Sequence, residues 1–155
     1  MNHFALRQGA KIEADAERER LRRSLRCVID ALQRNASDMD VVGKKIRDGA
    51  AVFDLGLDVT TWEVVRDELV PLLRSPRLRS DLALHFSRVK QADRLSAALF
   101  EYSAGVASSL GRAPVIRKAL VEALFSQLSK LAPESSDLAK KCSLAVPEAR
   151  TDADE

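Results

Sequence analysis

The chain holds only six glycines and five prolines in 155 residues. That is too few turn-formers for a many-stranded sandwich or barrel, whose strands need turn residues every 8–12 positions or so. Aromatics make up only 5%. The two cysteines, Cys27 and Cys142, are isolated from each other and fit no metal-ligand or redox spacing. We expect plain thiols in a reducing compartment, Cys27 half-buried and Cys142 in a tail. No apolar run approaches the ~18 residues of a membrane span. The N-terminus, MNHFALRQGAKIEADAERER, lacks the apolar stretch of a secretory signal. These absences point to a cytoplasmic, bacterium-like setting. Charge of one sign is lacking too. The 25 basic and 23 acidic residues leave a net +2, little for a dedicated nucleic-acid binder.

What is present is a composition that can fold. It is 46% hydrophobic and 31% charged, and the length suits one domain with its own core. The charge is uneven. Residues 1–35 carry a local excess of bases, and residues 133–155 a local excess of acids.

Apolar periodicity gives the fold class. Leu21, Leu25, Val28, Leu32, Asn35, Met39, Val42 and Ile46 alternate spacings of four and three, the seam of a helix packed lengthwise on others. Asn35 is polar inside this seam, so we expect it to hydrogen-bond a neighbour and help fix register. Asn35-Ala36-Ser37-Asp38 offers an alternative break, but one helix reaching about Arg47 is the favoured reading. Residues 1–20 read as a charged, solvated helical lead-in. Gly49, Gly56 and Asp58 mark a connection whose Val52, Phe53, Leu55 and Leu57 belong over the core.

Thr60 to Glu63 has the spacing of a capping box and opens a short helix with Trp62, Val65, Leu69 and Leu72 or Leu73 on one face. Pro71 falls near its end. Ser75-Pro76 is an N-cap followed by a first-turn proline, opening a long helix to about Leu110. Its seam runs through Leu78, Leu82, His85 or Phe86, Val89, Ala92, Leu99, Val106 and Leu110. Gly111 to Pro114 reads as a turn. A last helix, Val115 to about Leu131, carries Ile116, Leu120, Leu124, Leu128 and Leu131, widened by Val121 and Phe125. Pro133 is expected to stop it. Residues 133–155 read as a polar, largely disordered tail, with Leu138, Leu144 and Val146 as a weak docking segment. The expectation is an all-α helical bundle of three long helices and one short one, spanning residues 21–132.

Chemistry is harder to find. No Gly-rich phosphate loop, no Glu-x-x-His pair and no Gly-x-Ser-x-Gly elbow occurs. His3 and His85 are the only histidines. Asp81 precedes His85 by one helical turn, the spacing of an acid-oriented base, although a buried, hydrogen-bonded histidine is the commoner meaning. Glu63 with Asp67 or Glu68 pairs carboxylates near a helix start, where the macrodipole alone favours acids. No cofactor or metal is implied. Trp62 is a candidate partner anchor or a core-closing residue. Arg18, Arg20, Arg22, Arg23 and Arg26, with Arg74, Arg77 and Arg79, form candidate anion-binding groups, the first diluted by Glu17 and Glu19.

The order of Leu32-Gln33-Arg34-Asn35, Thr60 to Trp62 and the leucines from Leu78 to Leu110 resembles a loose class of bacterial all-helical domains of unknown function. Members of that class often follow a transmembrane helix, whereas the segment ahead of Leu21 here is charged. The resemblance implies a helical fold and no activity. The sequence supports a non-enzymatic interaction or scaffold module acting through self-association or a protein partner. Binding of nucleic acid or an anionic surface through the arginines is the first alternative, and a cryptic enzyme built on Asp81, His85 or Glu63 the second.

Overall fold

The computed structural model describes residues 3–48, 55–103 and 113–147. It contains α1 (His3–Arg47), α2 (Thr60–Leu72), α3 (Pro76–Ser103) and α4 (Ala113–Ala145), with no strand among the described residues. The chain is an all-α helical bundle. The expected connection around Val52 and Phe53, the turn at Gly111 and the end of the third helix near Leu110 lie outside the described residues.

The seam of α1 packs as its spacing requires. Leu25, Val28, Leu32 and Met39 are at most 1% exposed, and Ile46 is 6% exposed. The helix passes unbroken through Asn35 to Arg47. Helix α1 packs along α4 and also on α2, and α3 packs on α4. Polar contacts give the directions. Arg23 reaches Glu68 and Asn35 reaches Asp58, so α2 runs antiparallel to α1. Arg22 reaches Pro147, and Asp81 faces Lys141, so α4 runs antiparallel to both α1 and α3.

Apolar burial is divided into two clusters along the bundle axis. One joins Leu25 to Leu32 with Trp62, Leu69, Leu73, Leu78, Leu82, Phe86, Leu138, Ala139 and Cys142. The other joins Met39 and Ile46 with Leu55, Leu57, Val89, Ala92, Leu99, Leu124, Leu128 and Leu131. Between them each long helix contributes one fully buried polar residue: Asn35 from α1, His85 from α3 and Ser135 from α4.

Three expectations are corrected. Pro133 does not stop the last helix, which continues to Ala145, and the bundle therefore extends beyond residue 132. Proline removes one backbone hydrogen bond and crowds the preceding turn, at roughly 3 kcal/mol. Beyond it, Leu138, Ala139 and Cys142 are each under 5% exposed, and burial of this kind contributes about 1.5–3 kcal/mol per large apolar side chain. The gain outweighs the proline. Residues 133–147 are thus ordered bundle rather than tail, while the rest of the expected tail, 148–155, lies outside the described residues. Of the three residues expected to dock, Leu138 is buried and Val146 packs on the first cluster, whereas Leu144 is 89% exposed. The cysteines also exchange places: Cys27 is exposed and Cys142 fully buried.

The third correction concerns the start of α2. Thr60 and Glu63 form no capping box. The cap lies upstream, where the Asp58 carboxylate accepts from the Thr61 N–H at 2.9 Å and from the Thr61 hydroxyl at 2.7 Å. Glu63 instead faces Lys90 at 2.6 Å. Ser75 caps as expected, its Oγ accepting from the Leu78 N–H at 3.2 Å.

Candidate functional site

The polar layer between the two apolar clusters is the most organised chemistry in the molecule. Its first part is a clamp on the chain entering α2. The Asn35 amide donates to the Asp58 carbonyl at 3.0 Å, and its Oδ1 accepts from the Asp58 N–H at 2.7 Å. Asn35 thereby reads both backbone groups of one residue, which explains a polar side chain in the seam. Arg34 adds an ion pair to the Asp58 carboxylate at 2.9 Å. Burial pushes the Asp58 carboxyl up, but the two Thr61 hydrogen bonds and the Arg34 charge outweigh it and hold the group below its ordinary range.

The second part joins α3 to α4. His85 Nε2 lies 2.8 Å from Ser135 Oγ, and both residues are fully buried. His85 Nδ1 lies 3.8 Å from a Glu134 carboxylate oxygen, beyond hydrogen-bond reach, and has no other partner. The charge of Glu134 favours the tautomer with a proton on Nδ1, leaving Nε2 to accept from the Ser135 hydroxyl. Glu134 also holds Arg88 at 3.3 Å. Desolvation lowers the His85 pKa below its ordinary value. Glu134 opposes that shift and Arg88 adds to it.

Serine, histidine and glutamate in this order have the connectivity of a nucleophile, a base and an orienting acid. Here the serine and the histidine are both sealed from solvent, so the serine hydroxyl is not presented to a substrate. Asp81, expected beside His85, pairs with Lys141 at 3.5 Å, and Glu63 pairs with Lys90. The three groups from which an enzyme could be built therefore have separate partners and do not converge. No cluster of metal-binding side chains occurs among the described residues.

Trp62 is 6% exposed and stacks on Phe86, with ring centroids 5.4 Å apart and planes 1° from parallel. It closes the core and does not offer its ring to a partner. The arginines divide. Arg22 is bound to Glu19 and to the Pro147 carbonyl, and Arg23 to Glu68. Arg79 is half-buried, whereas Arg18, Arg26 and Arg77 are exposed. Both arginine groups stand at the end of the bundle where α2 gives way to α3, and Glu19, Glu68 and Asp81 offset their field.

The charged helical lead-in expected over residues 1–20 lies at this end. Helix α1 continues outward past the last bundle contacts, and every residue from 7 to 20 is exposed. At 1.5 Å per residue this arm is about 21 Å long. Its Ile12 is 70% exposed, more than any apolar side chain of α1 within the bundle. Among the described residues no helix is long and apolar enough to cross a membrane. Compared with known proteins, the chain matches no protein-family model, no curated sequence and no solved structure.

Proposed function

We propose that the protein is a non-enzymatic helical interaction module, acting through self-association or a protein partner, with the projecting arm of α1 as its contact element. The observation that carries this reading is the unbroken helical arm of residues 7–20, exposed on all sides. Helices of this length are marginal in water, and most helical stability in proteins comes from packing one face. The arm's own charges are of mixed sign: Glu13 and Glu17 repel at one turn's spacing, while Lys11 and Asp15 attract at the same spacing, and pairs of this kind supply only a few tenths of a kcal/mol each. A polar helix standing clear of its domain is well suited to bridge to another chain.

Light scattering on the full chain tests this. A mass above that of the monomer at micromolar concentration is expected, falling to the monomer in Ile12→Glu with the helical signal unchanged. A monomer in both would remove self-association. The alternative, binding an anionic surface, loses ground because Arg22 and Arg23 are already committed within the chain. It predicts salt-dependent retention of nucleic acid, and none at low salt would end it.

A further inference from the structure

We propose that the His85–Ser135 contact, together with Pro133, is an acid-sensitive latch that releases residues 134–147, the last part of α4 and the two residues after it, from the bundle while the remaining helices stay packed. Three observations on independent parts of the molecule carry it. First, the imidazole is fully buried, with one nitrogen bonded to Ser135 and the other unpartnered. A proton added there charges a group sealed from solvent, whose Nδ1 faces only the Glu134 carboxylate, at 3.8 Å. It also requires the Ser135 hydroxyl to turn its own proton away from Nε2.

Second, the charges around the ring do not compensate. From α4 the only carboxylate facing it is Glu134, at 3.8 Å and already shared with Arg88. From α3 itself comes Arg88, whose charge opposes a second cation. The Asp81–Lys141 pair one turn away is internally neutral, as is the Glu63–Lys90 pair that joins α2 to α3. At this level α1 contributes the uncharged Asn35, and α2 the uncharged Trp62, whose partner Phe86 meets the imidazole edge-on at 5.7 Å.

Third, the segment that carries Ser135 is set off from the rest of α4. Pro133 has no N–H for the Ser129 carbonyl, so the helix is weakest one residue before Glu134. Past it, the segment is held by Leu138, Ala139 and Cys142 in one apolar cluster, by Glu134, Ser135 and Lys141 to α3, and by the Pro147 carbonyl to Arg22. The half of α4 before Pro133 belongs to the other cluster. Losing the first set of contacts therefore leaves the second intact.

The sign follows from linkage. A histidine whose folded pKa is depressed stabilises the closed state fully above the unfolded value of about 6.5, and that contribution is lost as pH falls toward the folded value. Opening grows by up to about tenfold per pH unit in that window.

Cys142 is a built-in reporter. It is fully buried in the released segment, while Cys27 on α1 is exposed and serves as the control. The experiment labels the full chain with 4,4′-dithiodipyridine from pH 7.5 to 5.5. Each thiol is followed by peptide mass, and rates are normalised to the unfolded chain at the same pH. The Cys142 rate is expected to rise several-fold or more on the acid side, with Cys27 and the far-ultraviolet helical signal unchanged. In His85→Gln the rise should vanish. Glu134→Gln removes the carboxylate facing the ring and leaves the imidazole in place, so the rise should persist in it, a readout that survives if the histidine variant fails to fold. A flat Cys142 rate in the native chain would overturn the proposal. So would the same rise in His85→Gln, loss of the rise in Glu134→Gln, or a rise accompanied by loss of the helical signal.

Discussion

Replacing Asn35 separates two meanings of a polar residue in a helix seam. If the amide is merely tolerated, Asn35→Leu fills the seam with the residue type its neighbours use, and stability should rise. The structure predicts the reverse. Asn35 makes hydrogen bonds to both the N–H and the carbonyl of Asp58, at 2.7 and 3.0 Å, and its own side chain is fully buried. Leucine leaves both backbone groups without those partners, and each orphaned group costs about 1–3 kcal/mol. Asp58 keeps Arg34 and Thr61, but those contacts use its carboxylate and replace neither backbone bond. A net loss of about 2–4 kcal/mol is expected after the apolar gain of the leucine is set against it. In a chain of this size that is a fall in Tm of roughly 5–15 °C. Asn35→Ala should lose a similar amount or more, since it adds a cavity. Urea titration followed by the helical signal reads both, with an unchanged slope as the sign that the unfolding unit is the same. A leucine variant as stable as the native chain would refute the clamp.

Further expectations follow from the corrected C-terminus and from the caps. Leu138→Ala should destabilise by about 2–5 kcal/mol in the same titration, a core-sized loss that a disordered tail could not produce. Burial pushes the Cys142 thiol up to about 11, so at pH 7.5 a thiol reagent should modify Cys27 rapidly and Cys142 far more slowly, at the rate at which its segment opens. Asp58 titrates below its ordinary value, so its stabilising contribution is complete above about pH 4 and lost as pH falls through the lower folded value. Asp58→Asn should accordingly flatten the urea midpoint between pH 4 and pH 2.5. Trp62→Ala should cost about 3–5 kcal/mol through its lost stack on Phe86, and more than any single arginine substitution at 18, 26 or 77.

The helices were legible because apolar side chains at spacings of three and four fall on one face of a helix, where another helix can cover them. Leu21 to Ile46 and Leu78 to Leu99 were read from that alone, and the hydrogen-bonding role of Asn35 followed from its place in the seam. The last helix was cut short because proline was weighed as a stop without asking what lay beyond it. Leu131, Ser135, Leu138 and Cys142 continue the same four-three-four spacing straight through Pro133, a signal strong enough to have found the segment. The cap of α2 was missed for a different reason. Thr60 and Asp58 are both good capping residues, and the choice between them depends on Arg34 and Asn35, which sequence places more than twenty positions away. His85 with Ser135 could not be paired from spacing, since fifty residues separate them. That each interrupts a seam at the level of Asn35 shows only once the helix directions are known. The arm was read as a charged lead-in, and its isolation from the bundle became visible only when the neighbouring helix ends could be placed.

Amide hydrogen exchange at two protein concentrations tests the proposed role of that arm most directly. Residues 7–20 should gain protection as the concentration, or that of a captured protein partner, rises, while protection in the two apolar clusters stays constant. Exchange of the arm at unfolded rates under every condition, with the bundle fully protected, would contradict it.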